Sequence, residues 1–271
     1  MRLAALYRYP VKSLGGESLP AAAPAVRGLV GDRRWMFVDG AGRFISQRSQ
    51  PQLARYRVSL VGEHRLRFYR KADGLHLADV EGAGPREPGR GSKTPVSVWD
   101  DRLAATAVES PALPGLLREL GLPRARLVVM QATDRRPVDP AYAGPRDEVS
   151  FADGFPYLVT TTASLAALNA RLDEPVSMLR FRPNLVIEQD APFAEDDWGR
   201  VRIGGHLFAL PKPCARCVVV NGDPATGERT PDVLNVLADF RRAGRKLLFG
   251  MNALWAGGAG NLRVGDAVQL V

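Results

Sequence analysis

The chemistry in this sequence concentrates in one stretch, Lys212-Pro213-Cys214-Ala215-Arg216-Cys217-Val218-Val219-Val220-Asn221-Gly222-Asp223-Pro224, which holds both of the chain's cysteines. Four uses of the pair compete. A structural zinc site needs four ligands, and with two Cys the others would have to come from His64, His76, His206 or carboxylates; neither a second CxxC nor an HxxxH accompanies the first. A thioredoxin-like dithiol needs its first Cys at a helix N-terminus, whereas here the pair leads into three valines and an Asp-Pro turn, which is β-strand composition. Two cysteines can also simply fill core space, as small buried residues often do. The fourth use is a single thiolate that binds a soft or high-valent metal centre, with Arg216 alongside to favour the ionised sulfur. Spacing alone does not choose among them.

The elements that would carry this stretch are mostly short strands. Arg2–Tyr9, Arg34–Asp39, Arg43–Gln47, Ala54–Leu60, Leu66–Tyr69, Val96–Trp99 and Arg102–Val108 alternate with turn residues at the spacing of a barrel or sandwich. Pro111–Leu120 reads as a short helix and Arg124–Met130 as a strand. Two polar stretches rich in Gly and Pro, Val80–Pro95 and Thr133–Glu148, read as surface loops, the second marking a boundary between residues 1–130 and 131–271. Beyond it, Thr162–Leu172 has apolar residues at helical spacing behind a Thr cap, and Thr230-Pro231-Asp232 opens another helix with Pro at its first position. Phe181–Ile187 and Arg200–Leu210 read as strands, the latter folded at Gly204-Gly205, and Leu262–Val271 supplies the last through the turn Val264-Gly265-Asp266. The expected fold is therefore mainly β with a few helices.

A chain of 271 residues, 45% of them hydrophobic, can bury its own core without a staple. Its apolar runs are too short to span a bilayer or to form a signal peptide, so a cytoplasmic location is expected, and one CxxC with no other Cys fits a reducing compartment. The formal charge of +8 suits an anionic small molecule, an acidic protein or nucleic acid. The basic residues are scattered, mostly Arg, and lack an RNA-binding signature, which argues against nucleic acid. Trp35, Trp99, Trp198 and Trp255 read as core or edge aromatics. None of His64, His76 and His206 is assigned a catalytic role.

The surrounding blocks resemble the MOSC (molybdenum cofactor sulfurase C-terminal) family, and the branch that joins an N-terminal β-barrel to a MOSC domain, amidoxime-reducing components among them. Tyr9-Pro10-Val11-Lys12-Ser13 and Gly31-Asp32-Arg33-Arg34-Trp35 look like its YPVKS and GDRxW signatures. The later matching blocks are Phe151-Ala152-Asp153, Ala163-Ser164-Leu165, Phe181-Arg182-Pro183-Asn184, Ala194-Glu195-Asp196-Asp197-Trp198, Cys214-Ala215-Arg216-Cys217, Asp223-Pro224-Ala225-Thr226-Gly227, Leu248-Phe249-Gly250 and Val264-Gly265-Asp266. The resemblance implies an N-terminal β-barrel packed on a C-terminal MOSC β-barrel domain. It implies a pyranopterin molybdenum cofactor (Mo-molybdopterin) ligated by Cys217, by register with the Asp-Pro turn, and lined by Lys12, Ser13, Arg33, Arg182, Asn184, Ala215, Arg216 and Asn252. Cationic and amide donors suit a phosphate and an electron-rich pterin. Taken singly, Lys12 could be a solvated loop charge, Arg182 a strand-edge residue and Asn184 a satisfier of local backbone.

That resemblance implies an oxidoreductase that removes oxygen from N-hydroxylated compounds, with electrons from a separate ferredoxin-like or flavin protein because the chain stops at Val271. A cofactor carrier or sulfur-transfer protein using Cys217 is the alternative. A fused desulfurase dependent on pyridoxal phosphate would favour that second use, but no such domain fits in 271 residues. Val220-Asn221 stand where relatives often carry Thr-Thr, which leaves the substrate open. The halves are expected to share one cofactor cleft, with Lys12 and Arg33 meeting Arg182 and Cys217. An acidic redox protein is expected at its mouth.

Overall fold

In the computed structural model, residues 1–81, 91–230 and 232–271 are described, and they fold mainly as β-sheet with three α-helices. The largest sheet runs, neighbour to neighbour, through Glu17–Leu19, Arg2–Arg8, Leu185–Glu188, Tyr157–Thr161, Lys246–Gly257, His206–Ala215, Arg200–Ile203 and Val268–Leu270. Its pairs are antiparallel except Tyr157–Thr161 with Leu185–Glu188. Parallel neighbours need a crossover, and the helix Thr162–Asn169 supplies it. Thr161 starts that helix, its Oγ1 accepting from Ser164 N at 3.2 Å. The N-terminal strand Arg2–Arg8 lies inside this sheet, pairing Leu6 with Leu185. A four-stranded sheet, Lys93–Val98, Asp101–Ala107, Arg126–Val129 and Trp35–Val38, and a meander, Tyr56–Val61, Arg65–Arg70 and His76–Glu81, make up most of the first half.

Alternation places the core. Val58, Leu60, Leu66, Phe68 and Val80 face one way from the meander and bury against Trp35, Phe37 and the helix Leu113–Glu119. A second core joins Leu3, Leu6, Tyr157, Val159, Leu185, Ile187, Phe208 and Met251 on one face of the large sheet. The loop of residues 133–148 carries Val138, which buries with Val149, Ala152, Phe155 and Leu254.

Several expectations fail for identifiable reasons. Arg43–Gln47 forms only isolated bridges at Arg43 and Phe44, because Ser46 O accepts from Ser49 N and Gln50 N and turns the chain. Pro51–Arg55 is a 3₁₀ turn, so the strand expected from Ala54 starts at Tyr56. The strand expected from Phe181 starts at Leu185. Met178–Phe181 is a 3₁₀ turn, Arg182 is left-handed, and Pro183 has no N–H to give. The three valines are not a strand either: Cys217 O accepts from Val220 N and Val219 O from Gly222 N, coiling Val218–Asn221 into a 3₁₀ turn. Leu262–Val271 divides between two partners, Leu262–Arg263 on Ala21–Ala22 and Val268–Leu270 on Arg200–Ile203. Of the two places read for Trp99, core or edge, the core is excluded: it is 44% exposed, at φ 56°. Pro231 and most of the Val80–Pro95 stretch lie outside the described residues. The helix that Thr230-Pro231 was expected to open runs Asp232–Phe240, and Asn221 Oδ1 accepts from its Leu234 N at 3.0 Å.

Candidate functional site

One cleft gathers residues from both halves of the chain. Lys12, Ser13, Arg33, Arg182, Asn184, Arg216, Cys217 and Asn252 all line it, around about 830 Å³ of empty space with the mouth included. Of the residues implied by resemblance, Ala215 alone is outside the lining, exposed at the end of the strand His206–Ala215. The expected convergence of Lys12 and Arg33 with Arg182 and Cys217 is therefore what the fold contains.

Backbone geometry builds this convergence. Among the described residues five non-glycine residues have positive φ, and three of them are Ser13 at 72°, Arg33 at 47° and Arg182 at 55°. Each such conformation costs on the order of 1 kcal/mol or more, and strain of this kind collects where a side chain must be aimed. Arg33 is aimed by buried partners: its Nη1 donates to Asp32 Oδ2 at 2.6 Å and Asn184 Oδ1 at 2.9 Å, and its Nη2 to Arg182 O at 3.0 Å. Arg33 and Arg182 both lie on the Tyr9 ring, 4.5 and 4.4 Å from its centroid. Burial, with Arg33 adjacent, pulls the Arg182 guanidinium down to about 10.

Lys12 is 6% exposed and donates to Phe151 O at 2.8 Å and to Asp153 Oδ1. Burial lowers the Lys12 ammonium. For Asp153 burial pulls the other way, but Lys12, then Arg48 and Arg33, hold its carboxyl well below the usual range, so it faces the cleft as a carboxylate. Arg136, almost fully buried, fixes this segment by donating to Ser150 O at 2.8 Å and Asp153 O at 2.9 Å.

The two cysteines have different surroundings. Arg48 Nη2 donates to Cys217 Sγ at 3.1 Å, while its guanidinium lies 4.2 Å from the centre of the Trp99 ring and 3.6 Å from Asp153 Oδ2. Arg216, expected beside Cys217, instead donates to Cys214 Sγ at 2.9 Å and to Phe181 O at 2.8 Å. Cys214, Arg216 and Cys217 all line the cleft, with Arg216 turned to Cys214 and Arg48 to Cys217. Cys214 packs against the apolar cluster of Phe181, Val220 and Phe249. Among the described residues no three His, Cys, Asp or Glu side chains gather as a zinc site requires. Arg48, Trp99, Gln47 and Asp153 had no part in the sequence-based site, although Asp153 sits in a quoted motif. An Arg after an expected strand, in Ser46-Gln47-Arg48, is indistinguishable from the chain's many solvated arginines.

Arg182 also lines an adjoining cavity with Lys71, whose ammonium donates to Pro224 O. Burial, then Arg182, push Lys71 from its ordinary 10.5 down to about 8. Between those values the unfolded chain binds more protons than the folded one, so this group's penalty is full below about pH 8 and fades as pH rises. Urea unfolding of wild type should therefore gain stability from pH 8 to 10, and Lys71→Met should flatten that gain and be the more stable at pH 7. Parallel pH profiles for the two proteins would contradict it.

Comparison with known proteins places both halves. Residues 1–112 match the family model described as "MOSC N-terminal beta barrel domain", and residues 146–269 that described as "MOSC domain". The chain is 32% identical over 255 residues to a "Molybdenum cofactor sulfurase" of Drosophila grimshawi, matching over 90% of its own length but 30% of that protein's. It is 28% identical over 291 residues to the human "Mitochondrial amidoxime-reducing component 1", covering 99% of this chain and 82% of the other. Among solved structures, the YUAD protein of Bacillus subtilis covers 98% of this chain at a TM-score of 0.43 and 10% identity, too distant to add to the assignment.

Proposed function

Because the chain belongs to the MOSC family, we propose that it is a molybdenum-cofactor enzyme that reduces N-hydroxylated compounds, working in the cytoplasm with electrons from a separate redox protein. The observation that carries this reading is the donor set of one cleft: a thiol, Cys217, at one place and the cations Lys12, Arg33 and Arg182 at another. A soft sulfur ligand and clustered phosphate-matching guanidinium groups suit a metal dithiolene with an anionic tail. Arg216 Nε is buried without a hydrogen-bond partner among the described residues, which adds an unspent donor beside the cleft.

When bound, the cofactor supplies two-electron chemistry that takes oxygen from nitrogen and releases it as water. The protein's residues hold and orient. Cys217 Sγ ligates the metal, and Arg48 Nη2 donates to that sulfur while stacked on Trp99. Arg33 and Arg182, fixed on Tyr9, hold the phosphate end. Asp153, held ionised, keeps Lys12 and Arg48 in place and is not a proton donor at neutral pH. Asn221, where relatives often carry Thr, turns its side chain to the helix Asp232–Phe240, away from a substrate-contacting role. The excess of basic residues favours an acidic electron donor.

The test is metal and pterin content of protein from a cofactor-competent host, followed by benzamidoxime reduction with a chemical donor. About one molybdenum and one pterin per chain, with turnover, is the expected result. Cyanide-labile sulfur on Cys217 without pterin would favour the sulfur-transfer use that the likeness to sulfurases also suggests. Zinc in place of molybdenum would overturn both.

A further inference from the structure

Arg34, the neighbour of Arg33, turns to the opposite side of its loop and lines a second cavity. That cavity has about 890 Å³ of empty space with its mouth and is walled mainly by Ala25, Val26, Leu29, Val30 and Leu60. Arg34 is 9% exposed, and its Nε is fully buried without a hydrogen-bond partner. Among the described residues no hydrogen bond or ion pair engages its guanidinium. A buried charge without a hydrogen-bonded partner is costly, and Asp134 and Glu148 act on this one only through space.

The neighbouring charges do not fill that place. Arg27 lines the same cavity, but Glu148 and the carbonyls of Gln131, Ala132 and Asp134 take up its donors. Asp134 is engaged by Lys93 and Gln131 N, and Glu148 by Arg27 and Arg135. Glu63 also lines the cavity and has an interaction of its own. Burial, with Arg27 nearby, pushes the Arg34 guanidinium down to about 10, which still leaves it charged at neutral pH.

We propose that this cavity binds a small amphiphilic carboxylate, its apolar body against Val26, Leu29, Val30 and Leu60 and its carboxylate on Arg34. An apolar wall with one convergent cationic fork is what such a ligand needs, and a planar guanidinium receives a carboxylate through two parallel hydrogen bonds. The cavity is separate from the cysteine cleft, so the proposal stands whether or not that cleft carries the cofactor.

Octanoate, 1-octanol and acetate, titrated calorimetrically into the 271-residue chain, separate the two halves of the ligand. Octanoate should bind saturably, and octanol and acetate at least about tenfold more weakly. Arg34→Met should lose octanoate binding by at least about tenfold and melt higher than wild type without ligand, because it removes a buried unpaired charge. Val26→Trp, at a position 39% exposed, fills the cavity while leaving Arg34 in the sequence and should also abolish octanoate binding. Octanol binding as tightly as octanoate, undiminished octanoate binding in either variant, or no saturation in wild type would overturn the proposal. An Arg34→Met chain less stable than wild type would also overturn it, by showing that the guanidinium is already paired.

Discussion

Cys217→Ser should abolish reduction of N-hydroxylated compounds while the protein stays folded, and Cys214→Ser should retain most of its molybdenum and a measurable fraction of activity. The asymmetry follows from what each sulfur touches. Cys217 starts the 3₁₀ turn Val218–Asn221 through its backbone, with no capping bond from its side chain, so a hydroxyl there leaves the turn intact. What is lost is a soft, strongly donating ligand, and a hard hydroxyl does not replace it. Cys214 is a packing residue whose sulfur accepts from Arg216 Nη1 at 2.9 Å. A serine hydroxyl can accept the same bond, so its cost is confined to lost apolar contact, about 1 kcal/mol. The comparison needs molybdenum, pterin and turnover on both variants beside wild type. Equal and complete loss of metal in the two would remove Cys217 from its place as sole protein ligand.

The parts of the fold that could be read from sequence are those where local pattern and tertiary demand agree. Arg2–Arg8, Trp35–Val38 and Asp101–Ala107 match the expected strands to within a residue or two, and the chain folds back at Gly204-Gly205 as expected, although the second strand of that hairpin runs on to Ala215. The failures lie where long-range geometry overrides local composition. Three consecutive valines favour a strand by their branched side chains, yet the chain must turn there to present Cys217 to the cleft and bring Asn221 to a helix start. Arg182 lies in what reads as the start of a strand, and its left-handed backbone is what aims it at Leu14 O and the Tyr9 ring.

The site was legible in its motif residues and illegible in their supports. Lys12, Arg33, Arg182 and Cys217 stand in recognisable blocks, but the cation on Cys217 comes from Arg48, 169 positions away, and nothing near Arg48 announces the partner. Its aim depends on Trp99, which leaves the core at a strained φ of 56° to stack beneath it. Hydrophobic pattern read Trp99 as a core or edge aromatic because large aromatics usually pack, and a ring stacked on a guanidinium is the exception that such patterns do not carry. Arg216 shows the converse: adjacency in sequence suggested contact with Cys217, and its guanidinium instead donates to Cys214 Sγ.

Asn184→Ala should be among the most damaging single substitutions in the protein, because one side chain of 0% exposure ties three elements together. Its Nδ2 donates to Tyr7 O at 3.1 Å in the N-terminal strand. Its Oδ1 accepts from Leu158 N at 3.3 Å in the neighbouring strand and from Arg33 Nη1 at 2.9 Å. Truncation leaves a buried carbonyl, a buried N–H and one guanidinium donor without partners, and at 1–3 kcal/mol for each group truly stranded the total should be about 2–4 kcal/mol after relaxation. Asp32 Oδ2 still holds Arg33 Nη1 at 2.6 Å, so the guanidinium loosens without leaving the cleft. Cofactor retention should fall, and the fold should survive at lower urea. Asn184→Asp separates the two effects. Its carboxylate keeps the acceptor for Arg33 and Leu158, but turns a second oxygen to the Tyr7 carbonyl where a donor is needed. That variant should hold Arg33, and with it most of the pterin, while still losing stability. Urea midpoints and pterin content of both variants decide the matter. A loss below about 0.5 kcal/mol in Asn184→Ala, the range of an ordinary surface change, would mean that the two halves of the cleft are not joined through this residue.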